Sequence, residues 1–374
     1  MKSEEVGPPT TVEIIEPRRV WYSTVVRALS GWLLLIGVVS GLVIFQTRGS
    51  SGFNEAGRGD SSFARIPRRT NASPIWSIAY SPDGGLLATT TIWGDVSVIA
   101  PSQGELVDLQ RGPKSLARRL AFTPDNQSIG VVGDGARVKF WHAQALNEEV
   151  GINTTLQLTR SLAFAQKSSL MAVGGEGGSQ VELWDWKARR KLGELGVGVE
   201  LKRVCALAFS SDDVFLAVGD DSGMISVWEL ATNRLRSRWR GHESGVVDLA
   251  FTKGGSRLLT SGRLDPVVKV FDATSGAALS TIPGHLGGVT ALGLLRDGSM
   301  LAVAALDGRV CLYDAERFQK LSEMRGESSI CALAFSQDGK VLATGGLDGV
   351  IRFWDVRELI SNGLADRASD LNGQ

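Results

Sequence analysis

Hydrophobic and polar positions alternate in short runs over most of the chain, without the longer spacing of an amphipathic helix. The clearest segment, from Ile330 to Asp355, has three apolar runs separated by a Ser-Gln-Asp-Gly turn and a Leu-Asp-Gly turn. β-Branched and aromatic residues fill the runs, and Asp and Gly supply the turn geometry. The pattern therefore predicts three short antiparallel strands joined by tight turns.

The same pattern recurs along the chain. A small residue followed by a large apolar one ends the first run of each copy, and these pairs are Ala79-Tyr80, Ala121-Phe122, Ala163-Phe164, Ala208-Phe209, Ala250-Phe251, Gly293-Leu294 and Ala334-Phe335. Their spacings are 42, 42, 45, 42, 43 and 41 residues. A period of about 40–45 residues with strand content predicts the blades of a β-propeller, here seven.

The end of each copy resembles the WD-repeat family. The closing dipeptides are Trp184-Asp185, Trp228-Glu229, Phe271-Asp272, Tyr313-Asp314 and Trp354-Asp355, with a degenerate Trp141-His142 and a lost copy at Ile99-Ala100. The family's Gly-His opener stands at Gly241-His242 and Gly284-His285. The resemblance covers about residues 62 to 356 and implies an all-β, seven-bladed β-propeller with four-stranded antiparallel blades.

The last blade lacks a fourth strand within its own repeat. Each of the first six blades has an outer strand after the closing dipeptide, such as Arg234 to Trp239, whereas the tail at 357–374 shows no strand pattern. A strand-like piece, Phe63 to Pro67, stands before blade one and reads like Ser280 to Pro283. We predict that residues 63–67 complete blade seven and close a propeller over residues 63–356.

The N-terminal part has a different composition. Residues 1–27 form a polar tail, residues 28–45 are an uncharged apolar run, and residues 46–62 form a Gly/Ser-rich flexible linker. Eighteen apolar residues are at the lower limit for crossing a bilayer, so the run predicts one N-terminal transmembrane helix. A cleaved signal peptide and a buried core helix are the alternatives; the long polar tail disfavours the first, and the propeller has no room for the second.

Basic residues flank the apolar run on both sides, and they are Arg18, Arg19, Arg27, Arg48 and Arg58. Three before the run against two after it favour a cytoplasmic N-terminus and an extracytoplasmic propeller, in a single-pass membrane protein. Gly37 and Gly41 form a small-xxx-small pair that could support a weak dimer.

The resemblance also implies a polar motif within the blades. In the family, an Asp six residues before the closing aromatic caps a turn and joins a His from the interblade loop, a Ser or Thr of the second strand and the closing Trp. The matching residues are His242, Ser261, Asp265 and Phe271 in blade five, Asp307 and Tyr313 in blade six, and Thr344, Asp348, Trp354 and Asp355 in blade seven. Glu327 stands where blade seven would have the His.

A Ser, a His and an Asp together also suggest a catalytic triad. The resemblance instead makes them hydrogen-bond partners inside a blade, and the sequence has no nucleophile elbow. No His, Asp and Glu residues have metal-ligand spacing, and the glycine run at 174–178 leads into a strand rather than a helix. The sequence therefore predicts no catalytic residue, no metal and no cofactor.

Overall charge is balanced, with 40 basic and 40 acidic residues, so no general field favours nucleic acid or acidic partners. One segment departs from this balance through Arg234, Arg236, Arg238 and Arg240, here called the Arg stripe. A period of two places these side chains on one face of a strand. They form either a site for an anionic partner, such as lipid headgroups or nucleic acid, or a charged edge that prevents strand pairing.

Of the three cysteines, Cys205 and Cys331 occupy equivalent positions in two blades. An odd number spread over several blades is no disulfide framework, and small apolar filling of inner strands is the simpler interpretation.

Propellers of the WD-repeat family mostly act as rigid platforms for other proteins. The sequence accordingly predicts a membrane-tethered, non-catalytic scaffold or recognition subunit with unidentified protein partners, without nucleic acid, and anchored through residues 28–45. Two alternatives stay open: a propeller enzyme or sensor that binds a small ligand, and an anionic-surface or nucleic-acid binder that uses the Arg stripe. Short, Gly-rich loops disfavour the first of these.

Overall fold

A computed structural model of the chain describes residues 73–101, 105–110, 116–177, 181–196, 199, 201–361 and 363. All of them belong to the compact unit Ser61–Gln374. The tail, apolar run, linker and closing strand predicted over 1–27, 28–45, 46–62 and 63–67 lie outside the described residues, as do Gly37 and Gly41.

Strands dominate the described part of the chain and form seven antiparallel sheets, each a meander in chain order. Blades one to four contain, in order, β1 (Ile75–Tyr80), β2 (Leu87–Thr91), β3 (Val96–Ala100), β4 (Glu105–Gln110), β5 (Ala117–Phe122), β6 (Ser128–Gly133), β7 (Arg137–His142), β8 (Ile152–Asn153), β9 (Leu158–Phe164), β10 (Leu170–Glu176), β11 (Val181–Asp185), β12 (Arg190–Leu195), β13 (Val204–Phe209), β14 (Phe215–Asp220), β15 (Met224–Glu229) and β16 (Arg234–Arg240).

Blades five to seven follow the same order from inner to outer strand. Their strands are β17 (Val246–Phe251), β18 (Arg257–Gly262), β19 (Val268–Asp272), β20 (Ala278–Ile282), β21 (Val289–Leu294), β22 (Met300–Ala305), β23 (Arg309–Asp314), β24 (Lys320–Arg325), β25 (Ile330–Phe335), β26 (Val341–Gly346) and β27 (Ile351–Asp355). The prediction of an all-β, seven-bladed propeller is confirmed, because each copy of the repeat forms one sheet.

The first and last blades are in direct contact. Ile75 and Leu87 of blade one share a buried apolar cluster with Ala343 and Ile351 of blade seven. A Cβ atom on Gly345 would lie 2.4 Å from Cγ2 of Ile75, so the two blades approach too closely there for a side chain. The ring is thus closed by packing, while blade seven has three strands in the described part of the chain.

A short helix over 356–361 follows the last strand. Asp355 Oδ1 accepts hydrogen bonds from the backbone N–H groups of Arg357 and Glu358, at 2.8 and 3.1 Å, as a helix N-cap does. Leu359 and Ile360 pack on the apolar cluster of blades six and seven.

The localisation predicted from the apolar run 28–45 is corrected here. The run itself lies outside the described residues, and within them no helix has the length and apolar content that a bilayer crossing requires. The prediction of a single-pass membrane protein with an extracytoplasmic propeller is wrong.

We call the end of the ring where inner strands begin and second strands end the upper face. There, the residue after the second strand, or in blade three its last residue Glu176, is tied by a backbone hydrogen bond to the start of the inner strand or the loop before it. Asp221 N donates to Arg203 O at 2.9 Å, and Leu306 N donates to Gly288 O at 3.0 Å. These rim residues are Ile92, Asp134, Glu176, Asp221, Arg263, Leu306 and Leu347.

Every inner strand also carries a β-bulge just below the rim. In blade four, Val204 pairs with Asp220 and Ala206 with Gly219, which leaves Cys205 between them unpaired. The equivalent bulge residues of blades one to seven are Trp76, Arg118, Arg160, Cys205, Val247, Thr290 and Cys331. Because a bulge re-aims the extra side chain, these seven residues decide what the inner strands present at the upper end of the channel.

Candidate functional site

The polar motif of blade five joins an interblade loop to the sheet. His242 Nε2 lies 2.8 Å from Thr260 Oγ1, and His242 Nδ1 contacts Asp265 Oδ2 in a short hydrogen bond. The hydroxyl that reaches the imidazole is that of Thr260 rather than Ser261. Within the described residues the buried Ser261 hydroxyl has no hydrogen-bond partner.

Strand register explains this difference. Thr260 pairs with Leu249 in blade five, as Thr344 pairs with Leu333 in blade seven. The segment between this threonine and the turn Asp is one residue longer in blade five than in blade seven. Counting back from Asp265 with the spacing of blade seven therefore gives Ser261 instead of Thr260.

The buried state of His242 argues against nucleophilic chemistry at this site. The residue is 1% exposed, and both ring nitrogens are engaged. Burial lowers the pKa of His242, although the hydrogen bond and charge of Asp265 act in the opposite direction. A neutral imidazole with no free nitrogen and no access to solvent has a structural use, which is to hold the loop against the sheet.

Blade seven has a related network that contains an arginine instead of the histidine. Trp354 Nε1 donates to Thr344 Oγ1 at 2.9 Å. Arg352 Nη2 donates to Asp348 Oδ2 at 2.7 Å, and its side chain is 4% exposed. Glu327, where the sequence would place the His, is 3.5 Å from Arg352 and 91% exposed. Arg352, at the register position of Lys269, therefore contacts Asp348 from within the blade, whereas Glu327 of the loop stays exposed.

Blade six keeps the imidazole but lacks its hydroxyl partner. His285 is buried, and neither ring nitrogen has a hydrogen-bond partner among the described residues. Val303 pairs with Leu292 and so holds the position that is threonine in blades five and seven. Tyr313 replaces the closing Trp, and its hydroxyl donates to Pro283 O at 2.9 Å.

Two further residues of the motif have local roles. Asp307 Oδ2 accepts a hydrogen bond from Leu286 N at 2.7 Å, and its Oδ1 accepts one from Arg309 N at 2.9 Å, so it caps the turn. The ring of Phe271 lies 5.3 Å from that of Trp239. Among the described residues, no group of three or more His, Cys, Asp or Glu could hold a metal ion.

Sequence reasoning missed the polar network of blade three. Glu182 is fully buried, accepts a hydrogen bond from Trp184 Nε1 at 2.9 Å and contacts Lys191 Nζ at 2.9 Å. Its Oε1 also accepts from Thr155 N at 2.8 Å. Burial acts to raise the pKa of Glu182, but the hydrogen bonds from Thr155, Lys191 and Trp184 hold it below its usual value. A carboxylate two residues before a closing Trp was the signal that could have revealed it.

The channel is crossed just below its upper mouth. Arg119 Nη2 of blade two donates to Asp248 Oδ1 of blade five at 2.9 Å. These blades are not neighbours in the ring, so the ion pair spans the channel. Asp248 Oδ2 also accepts a hydrogen bond from Leu292 N at 3.0 Å, which fixes the carboxylate. We call this ion pair the channel floor.

Above the channel floor, the bulge residues divide the wall into two sides. Arg118 and Arg160 stand on the adjacent blades two and three. The other five positions carry a mostly apolar set, which is Cys205, Val247, Thr290, Cys331 and Trp76. The two arginines form the charged side of the mouth, and the bulge residues of blades five, six, seven and one form its apolar side, with Arg263 at the rim of blade five.

The charged side is paired with acidic rim residues. Arg118 Nη2 lies 3.1 Å from Asp134 Oδ1, and Arg160 Nη2 lies 3.2 Å from Glu176 Oε1. Arg203 Nε lies 2.8 Å from the other oxygen of Glu176. Cations therefore lie toward the channel and carboxylates toward the rim.

The apolar side continues outward onto exposed loops. Leu286 is 81% exposed and Leu264 58% exposed, and a Cβ on Gly288 would lie 3.1 Å from the Cα of Leu264. Together with neighbouring rim positions they form a surface that we call the apolar arc, made of Leu264, Leu286, Leu306, Leu347, Ile92 and Trp93. Clustered exposed apolar side chains are typical of protein interaction sites.

The Arg stripe lies elsewhere, on the outer strand of blade four. All four arginines are exposed, while the residues between them are partly buried. Trp228 pairs with Leu235 and Val227 with Ser237, so Arg236 is the extra residue of a β-bulge. The stripe faces solvent, and its binding of an anionic partner stays a prediction.

Comparison with known proteins supports the propeller fold. Residues 102–313, more than half of the chain, match the family described as nucleolar protein 10-like, N-terminal domain. Residues 66–98 and 318–355 match the WD domain, G-beta repeat. The first family is named for a nucleolar protein, which is also at odds with the predicted extracytoplasmic propeller.

Individual relatives are distant. The periodic tryptophan protein 2 homolog of Dictyostelium discoideum is 23% identical over 315 residues, which are 82% of this chain and 32% of that protein. Periodic tryptophan protein 2 of Arabidopsis thaliana is 22% identical over 223 residues, 59% of this chain and 24% of that protein. The COMPASS component SWD3 of Saccharomyces cerevisiae is 32% identical over 77 residues, 20% of this chain and 24% of that protein. The matched part of the chain thus spans a third or less of these relatives.

Proposed function

The chain belongs to the family of the nucleolar protein 10-like N-terminal domain, a WD-repeat β-propeller, and on that premise we propose that it is a non-catalytic recognition subunit whose upper face binds other proteins. The observation that carries this proposal is the apolar arc. Leu264 and Leu286 expose large side chains on the loops of a closed ring. Exposed apolar surface on a stiff frame favours recognition of a partner, because little ordering entropy is lost on binding.

Two further observations support recognition over chemistry. In blade five, His242 is buried and both ring nitrogens are bonded to Thr260 and Asp265, and in blade seven Thr344 is buried and bonded to Trp354. One relative is by its name a component of an assembly, the COMPASS component of yeast.

Partner capture with paired variants tests the proposal. We expect Leu264→Glu combined with Leu286→Glu to weaken binding of captured proteins about tenfold or more, because carboxylates replace apolar contacts. Leu279→Glu is the matched control, since Leu279 is 52% exposed on the outer strand of blade five. Partners that bind both variants as well as the unsubstituted chain would contradict an upper-face site. Thermal melting of each variant shows whether the ring is intact.

The Arg stripe supports a second candidate function, binding of an anionic polymer. The observation in its favour is the exposure of all four arginines on one strand. We expect affinity for a single-stranded nucleic acid or an anionic vesicle to fall steeply with salt, and to be lost in the double variant Arg236→Glu and Arg238→Glu. Binding that is unchanged by the substitutions would remove this candidate.

A further inference from the structure

We infer that the upper channel mouth binds a peptide segment of a partner in which a carboxylate side chain stands next to a large apolar one. The inference rests on the proposed function and names the chemistry of the partner. It is carried by the division of the mouth into a charged and an apolar side above the channel floor.

The channel floor limits how deep such a segment can enter. Arg119 and Asp248 meet at 2.9 Å across the channel, directly beneath the bulge residues Arg118 and Val247. A ligand therefore enters from the upper face and stops at the level of the bulge residues. We call this depression the cup: the ion pair of Arg119 and Asp248 forms its base, and the seven bulge residues form its wall.

The charged side gathers three arginines, each of which is paired with one carboxylate. Arg118, Arg119 and Arg160 project from two adjacent inner strands, and their partners are Asp134, Asp248 and Glu176. Burial, and then the charge of Arg160, lower the pKa of Arg118, while the charge and hydrogen bond of Asp134 act in the opposite direction. A carboxylate placed between the two arginines would relieve their repulsion.

Hydrogen-bond donors are also available there. The side chain of Arg160 is nine-tenths buried, and its Nε has no hydrogen-bond partner in the part of the chain that the structure describes. Arg119 is the more accessible cation, with 31% of its side chain exposed. An incoming carboxylate that reaches the level of the bulge residues thus has Arg119 at the base of the cup and the unpaired Nε of Arg160 as donors.

The opposite side of the cup offers apolar contact. Val247, Thr290 and Cys331 occupy the bulge positions of three consecutive blades. The Thr290 hydroxyl already donates to Ile330 O at 2.6 Å, so its methyl group is what remains for contact. This surface leads outward to Leu306 and Leu347 of the apolar arc. A large apolar side chain next to the carboxylate would cover it.

Both sides together favour a peptide over a free anion. A free phosphate would satisfy the arginines and leave the apolar surface exposed. A basic segment would place like charges against Arg118 and Arg119. In a peptide, an acidic residue next to an apolar one can contact the charged side and the apolar side of the cup at the same time.

A displayed library of short random peptides, selected on the full chain, tests the inference. We expect the selected peptides to carry Asp or Glu next to a large apolar residue. Binding should weaken about tenfold when Arg118→Glu is combined with Asp134→Arg, because this exchange keeps the ion pair but moves the cation away from the channel. Arg309→Glu with Glu323→Arg, an exchange at another pair 2.9 Å apart in blade six, is the matched control and should leave binding unchanged.

Val247→Asp provides a second variant on the apolar side and should weaken the same peptides. Selection of no peptide, selection of peptides without a carboxylate, or equal binding to all variants would overturn the inference. Full competition by millimolar phosphate would show a site for small anions only and would overturn it as well. If partner capture depends on Leu264 and Leu286 but is unchanged by the cup variants, the proposed function is supported and this inference is wrong.

Discussion

Thr260 and His242 meet inside blade five, where the threonine hydroxyl lies 2.8 Å from the ring Nε2. The contact joins the second strand to the loop that arrives from blade four. Because both side chains are buried, the hydroxyl is a structural partner that water cannot replace.

Thr260→Val should destabilise the propeller. The substitution keeps the shape but leaves a buried imidazole nitrogen unpaired, so we expect the free energy of unfolding to fall by about 1–3 kcal/mol. Urea unfolding followed by tryptophan fluorescence measures it. Thr281→Val, on the exposed outer strand of the same blade, is the control, and an equal loss in both variants would contradict a specific role for the hydroxyl.

Val303→Thr should have the opposite effect in blade six. Val303 stands at the register position of Thr260, and His285 has no hydrogen-bond partner within the described residues. A hydroxyl there should raise the free energy of unfolding by about 0.5–1.5 kcal/mol. In a His285→Phe background the same substitution should destabilise, because the hydroxyl would be buried alone. A loss of stability in both backgrounds would rule out the expected bond.

Stability should decrease on mild acidification. Burial lowers the pKa of both His242 and His285 below the ordinary value of 6.5. The unfolded chain then binds protons more readily than the folded one, so the free energy of unfolding is greatest above pH 6.5 and falls as the pH drops below it. Each histidine contributes up to about 1.4 kcal/mol per pH unit between its two pKa values.

Urea unfolding at a series of pH values around 6.5 measures this slope. His285→Phe should reduce it, since one of the two titrating groups is gone. A slope that is unchanged by the substitution, or stability that rises on acidification, would contradict the assignment.

The cysteine thiols should be unreactive in the folded protein. Burial raises the pKa of Cys205 to about 11 and that of Cys331 to about 12, and it also raises the pKa of Cys311. At pH 8 only about one Cys205 in a thousand is a thiolate, which is the form that attacks a disulfide reagent. We expect Ellman's reagent to label the thiols only after unfolding in urea. Rapid labelling of the folded protein would show that they are accessible.

Much of the fold was predictable because each blade is a self-contained unit. The pair of a small and a large apolar residue that ends the inner strand recurs with every blade, as do the turn residues after it, so their period counts the blades. Leu258 and Phe271 are facing partners in register, and both are buried.

The polar details depend on register, which a local pattern does not fix. Ser261 and Thr260 are adjacent in the sequence, and only the pairing of Thr260 with Leu249 shows which one faces the imidazole. The bulge positions depend on the same pairing. For that reason Arg118 and Arg160 read as scattered charges in the sequence, although they stand side by side at the channel mouth.

Localisation was the part of the prediction that failed. Eighteen apolar residues are at the lower limit for a membrane span, so hydropathy alone was a weak basis for predicting the localisation. The propeller repeat itself carries no information on that point.

Arg119 and Asp248 divide the bore of the ring into two vestibules with separate entrances. A molecule that docks at one opening neither threads through to the other nor competes with a molecule held there. Substitutions at the upper opening should therefore leave the lower opening unchanged.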